Sequence, residues 1–182
     1  MHAAVRLPVE LLDVIVSYAC TDGGRAACAL RLTSKTMRDI VDPHKFHTVA
    51  IPDAFRMKPF LETWEDSTEK SKANLRHVFL STSGVCTGLP RLLGDFLIAI
   101  SPVASTLTLI TSNNESKHPS LDIFADGEVF AQSLTFPRLT HFTLAVPDIL
   151  RRTHLRYPPS PPIPRFPALT HAHFAMSTCG HL

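Results

Sequence analysis

Residues 7–19 read LPVELLDVIVSYA; after Cys20 and the polar break TDGGR the chain continues AACALRLTSKTMRDIVDPHKFHTVAI to Ile51. Apolar residues recur at helical spacing in the first part: Leu7, Leu11, Leu12, Ile15, Val16 and Ala19. This periodicity predicts a helix with an apolar stripe. Pro8 suits a first helical turn, where its missing N–H costs nothing. Glu10 in that turn complements the positive helix end. Gly23 and Gly24 punctuate the far end. A second, short apolar run spans Ala26 to Leu32. Thr33 or Ser34 can cap a third helix, which carries Met37, Ile40 and Val41 and must stop before Pro43. Phe46, Val49 and Ile51 then alternate as in a strand. Three short helices cannot bury every apolar face among themselves, so some apolar surface is left for a partner.

The opening Leu7-Pro8-x-Glu10-Leu11-Leu12-x-x-Ile15, followed by LRLTSKTMRDIVDPHKFHTV, resembles an F-box of the form common in large fungal families. The resemblance covers residues 5–51. It implies docking on a Skp-type adaptor and, through it, on a cullin–RING ubiquitin ligase. Carried over by position, the adaptor-binding residues would be Leu7, Pro8, Leu11, Ile15 and Leu30. The wider family often has a tryptophan near the position held here by Ile40.

With 182 residues the chain suffices for one modest domain, or for a small module joined to a larger unit. At 45% hydrophobic and 19% charged it should fold. A net charge of +2 with scattered bases argues against a dedicated nucleic-acid binder. The sequence has no apolar run long enough to span a membrane and no signal-peptide pattern at its start. Cys20, Cys28, Cys86 and Cys179 show no C-x-x-C spacing and are read as reduced thiols of a cytoplasmic or nuclear protein.

Residues 52–74 read as a polar bridge, with a short helix around Phe55, Phe60, Leu61 and Trp64, and with Trp64 as a packing residue. A repeat follows. FPRLTHFTLA from Phe136 matches FPALTHAHFA from Phe166 at six of ten positions with a period of 30. A weaker L-x-x-φ-x-φ form, φ being apolar, begins at Leu75 and, with alanine leading, at Ala104. The spacings from 75 to 104, 139 and 169 are 29, 35 and 30. One short strand per unit of about thirty residues points to a solenoid. Leu89 to Ile100 supplies a helix between strands, and Phe124 to Leu134 a weaker one.

This strand–helix alternation resembles an irregular leucine-rich repeat without the usual Asn or Cys ladder position. The expected fold class is thus α+β or α/β: a three-helix F-box-like module (5–51), a bridge (52–74), and a short repeat region (75–182) incomplete at its C-terminal end. Each unit has one apolar face and buries it against its neighbours. His77, Phe79, Thr108, Thr143 and His173 alternate with the buried set and should face outwards, where a target protein could be read. Arg151 to Arg165, RRTHLRYPPSPPIPR, reads as an extended proline-rich insertion. Its P-x-x-P match from Pro158 to Pro162 leaves a docking role open beside that of a stiff loop.

Constellations for chemistry are weak. His171, His173, Cys179 and His181 carry zinc-type donors, but no second pair sits at finger spacing, and His141 occupies the repeat position of His171. Cys86 lies in SGVCTGL before a helix start without an assigned base. Phosphate-binding loops and a nucleophile elbow are missing. The sequence therefore predicts a substrate receptor that catalyses nothing and needs no metal or cofactor. A repeat scaffold without a ligase role, and a truncated non-functional family member, stay open beside it.

Overall fold

The computed structural model describes residues 7–83, 89–111, 134–147 and 165–177. Among these residues the architecture is mixed helix and strand: six α-helices and one parallel sheet of five strands. Three helices come first: α1 (Val9–Ala19), α2 (Arg25–Arg31) and α3 (Lys35–Val41). Pro8 is the N-cap of α1, with Glu10 in its first turn. Ser34 caps α3 by accepting a hydrogen bond from the Met37 N–H, which selects it over Thr33.

The three helices share a small core of Val16, Cys20, Ala27, Ile40 and Val41, with Leu12, Leu30 and Met37 packed against it. The apolar stripe expected on α1 is split. Leu12 and Val16 turn inward; Leu7, Leu11, Ile15 and Ala19 stay exposed. The reason is geometric: α1 is apolar on nearly all sides, and two short neighbours can cover only one of them.

The strand-like exit after α3 is β1 (Thr48–Ile51), the first strand of the sheet. The strands β2 (His77–Ser81), β3 (Thr106–Ile110), β4 (His141–Pro147) and β5 (His171–Ser177) follow in order, each parallel to the one before. Thr48, His77, Thr106, His141 and His171 lie side by side. The repeat phase read from residue 75 therefore begins one strand earlier, near Phe46.

The inward rows are Val49, Val78, Leu107, Phe142, Ala172 and Ile51, Leu80, Leu109, Leu144, Phe174. Residues 52–74 are more than a polar bridge. They hold α4 (Met57–Glu65) and α5 (Glu69–Ala73) and send Ala54, Met57 and Trp64 into the core. Trp64 is buried between Phe46 and Phe60, and Phe60 in turn meets Phe96 on α6 (Leu89–Ile100). The expected helix at 124–134 lies outside the described residues except for Leu134, which is buried.

A backbone device repeats along one end of the sheet. The carbonyl of His47 accepts the N–H groups of both Arg76 and His77. Arg76, Ser105 and Thr140 do the same for the next strand in turn. This forked bond fixes where each strand starts, although the spacers differ in length.

Candidate functional site

Two surfaces present the residues nominated by the sequence. The first is the outer side of α1. Leu7, Leu11, Val14 and Tyr18 recur at alternating four- and three-residue steps, with Ile15 beside them. Leu11 is 51% exposed, Ile15 52% and Tyr18 77%. Pro8 is exposed as well, and Leu32 at the end of α2 is 83% exposed. Of the expected adaptor-binding residues, Leu7, Pro8, Leu11 and Ile15 are thus brought to one surface. Leu30 is half-buried and packs on the module's own core. Val14 and Tyr18 belong to the surface too, and their helical spacing from Leu7 and Leu11 was the signal for them.

Polar contacts hold α1 in place. Asp13 Oδ1 lies 2.8 Å from His44 Nε2, and Arg31 Nε lies 2.7 Å from Asp42 Oδ1. Ser71 donates to the Asp42 carbonyl, and the Asn74 amide to that of Pro43. The 42–44 turn is therefore gripped from the helical side and from the sheet side. Burial pushes the Cys20 thiol up, with Asp22 and Cys28 adding to the shift, as fits a thiol packed in the helical core.

The second surface is the outward face of the sheet. Phe79, Thr108, Thr143 and His173 form one row with Ala50 at its head. His77 belongs to the neighbouring row with Thr48, Thr106, His141 and His171. All five expected target-facing positions therefore share one face, with His77, Phe79 and His173 exposed and Thr108 and Thr143 half-buried. His141 and His171 join them. Their rings stack at 4.4 Å with planes 4° apart.

The tautomer of this pair follows from its partners. The Thr140 hydroxyl donates to the Ser105 carbonyl, and the Thr170 hydroxyl to the Thr140 carbonyl. Each hydroxyl oxygen then accepts from Nδ1 of the following histidine at 2.9 Å. With Nδ1 protonated, Nε2 of each ring carries the free lone pair. The Thr-His dipeptide inside the FPxLTH repeat is the sequence signal for this pair.

Strand positions His77, Thr106, Thr108, His141, Thr143, His171 and His173 put no carboxylate on this face, which offers hydroxyls, imidazole nitrogens and the Phe79 ring. Among the described residues, no group of three His, Cys, Asp or Glu side chains is placed to hold a metal ion. Cys86, Cys179, His181 and the proline-rich stretch up to Pro164 lie outside the described residues. No described helix is long and apolar enough to cross a membrane. No family model, no curated protein and no solved structure matches this chain.

Proposed function

We propose that this chain is a non-catalytic receptor subunit: α1 docks on a Skp-type adaptor of a cullin–RING ubiquitin ligase, and the sheet's outward face, the exposed side of a repeat-type solenoid, receives a target protein. The observation that carries the reading is the exposed stripe of Leu7, Leu11, Val14, Ile15 and Tyr18 on a helix whose other side already has its own core. Apolar residues grouped this way, rimmed by Glu10 and Asp13, have the makeup of a protein–protein interface core. The resemblance of residues 5–51 to an F-box names the kind of partner.

A helical N-terminus acting only as a cap would need that stripe covered by the first strand unit. Its exposure favours docking over the scaffold reading. The other surface suits recognition by shape and hydrogen bonding, with no residue cast as acid, base or nucleophile. The destination of the complex is then the cytoplasm or nucleus.

The experiment is co-purification with a Skp-type adaptor, wild type against Leu11→Asp. Leu11 is exposed in the free chain, so a carboxylate there leaves the fold intact, whereas in the complex it would be buried without a partner. Binding by the wild type that Leu11→Asp abolishes supports the proposal. Retained binding by the folded variant, or no binding by a soluble wild type, overturns it.

A further inference from the structure

Charge is sorted between the sheet and its helices. The strands and their lead-ins, residues 46–51, 74–81, 104–110, 134–147 and 165–177, hold three arginines and five histidines and no Asp or Glu, although the chain has 16 acidic residues. Among the described residues every carboxylate lies on a helix or a turn, and five of them form ion pairs there, Asp13 with His44 and Asp42 with Arg31 included.

The basic groups gather where the strands start. Arg76, Arg138 and Arg165 precede β2, β4 and β5. The His47 ring meets the His77 ring edge-on at 5.6 Å. Burial first, then His77, Arg76 and His44, makes the His47 imidazole harder to protonate, so positive groups face one another at this corner. The row runs on across the sheet. His77 Nδ1 lies 2.9 Å from Thr106 Oγ1, and the stacked His141–His171 pair follows on β4 and β5.

We propose that this row of strand starts binds an extended acidic segment of the target protein: one carboxylate meets the corner of His47, Arg76 and His77, and a second meets the His141–His171 pair. The inference deepens the reading of the outward face as the target-binding surface and rests on it. Charge complementarity selects the occupant. A carboxylate approaching Nε2 of His141 or His171 favours the imidazolium, which then donates the hydrogen bond. Around that pair stand His173 on β5, Thr106 on β3, and Arg138 and Arg165 ahead of β4 and β5. None of these is an acid that would take the place of the ligand. The spacing is set by the sheet. From His77 to the middle of the pair is two to three strand spacings, about 12 Å, which an extended chain covers in about four residues. The bases are too few for a nucleic-acid track in a chain of net charge +2.

The test is fluorescence anisotropy with the full chain and a labelled Gly/Ser peptide carrying two Glu residues about four positions apart. Matched peptides carry Gln or Lys instead, and an oligothymidylate stands for single-stranded nucleic acid. The Glu peptide is expected to bind, about tenfold more tightly near pH 6 than near pH 8, and less tightly as salt is added. The double variant His141→Gln/His171→Gln is expected to lose most of the binding and its dependence on pH. Lys58→Gln, an exposed change on α4, should bind as the wild type does. Far-UV circular dichroism confirms that each variant is folded. No binding of the Glu peptide by the folded wild type, equal binding of the Gln or Lys peptide, tighter binding of the oligothymidylate, or full binding by the double variant would each overturn the inference. Co-purification with the adaptor is read separately on Leu11→Asp, so failure of the docking proposal and failure of this one are told apart.

Discussion

The helical module and the sheet body use the same residue types to opposite ends. In the sheet body most large apolar side chains of the first three strands and α6 are buried: Leu80, Leu93, Phe96 and Ile100 are fully covered. In the module, α1 buries Leu12 and Val16 and leaves Leu7, Leu11, Val14, Ile15 and Tyr18 in water. A sheet with helices behind it encloses its apolar residues. A three-helix unit of this size has too few neighbours to do so. Hydrophobicity thus reports a closed core in one region and an exposed apolar surface in the other.

Truncations should separate the two roles. Phe96→Ala empties a fully buried site touching Phe60 and should cost about 3–5 kcal/mol in urea unfolding. Gly23→Ala adds a Cβ against Ala50 at a positive φ and should cost about 1–3 kcal/mol, loosening the join between the regions.

A subtler effect concerns pH at the same join. Burial, then His77, Arg76 and His44, hold the His47 imidazole below its ordinary value. The folded state therefore favours the neutral ring. In the unfolded chain the ring takes its proton near pH 6.5. This contribution is present above that pH and is lost as pH falls through the folded value. His47→Asn should flatten the decline in melting temperature seen on acidification below about pH 6.5. The smallest effect is expected at Leu11→Ala, within about 0.5 kcal/mol in the free chain, because it removes surface that is already wet. A cost as large as that of Phe96→Ala would end the distinction between the regions.

How far the sequence could be read follows the same division. The repeat was legible because strand alternation is a local rule: L-x-x-φ-x-φ places His77, Phe79, Thr108, Thr143 and His173 on one face without knowledge of the rest. The face of α1 was not legible as a single stripe. A helix apolar on all sides gives no local cue to which side its neighbours will cover, and Leu12 and Leu11 differ only in where α3 lies. Membership of β1 in the sheet was hidden by its shortness and by Phe46 standing where later units carry Leu75 and Leu139. The 52–74 stretch is polar by composition, and its few apolar residues go to the core: Ala54, Met57 and Trp64 are anchors in a charged background. His141 and His171 were visible as a repeated Thr-His. Their stacking depended on two strands coming side by side across 30 residues of sequence.

The forked carbonyl ladder has a consequence for how the chain acquires its structure. Each described strand after β1 pairs with the strand made just before it, at separations of 29, 29, 35 and 30 residues. None of these four strands waits for its first partner to be synthesised. The loop to be closed at each step is of similar length, so the entropic cost of adding a strand stays nearly constant along the chain. The first strand is seated against the helices made ahead of it. Vectorial synthesis from the N-terminus therefore delivers the sheet in its order of assembly, with one growing edge at a time exposed to misfolding.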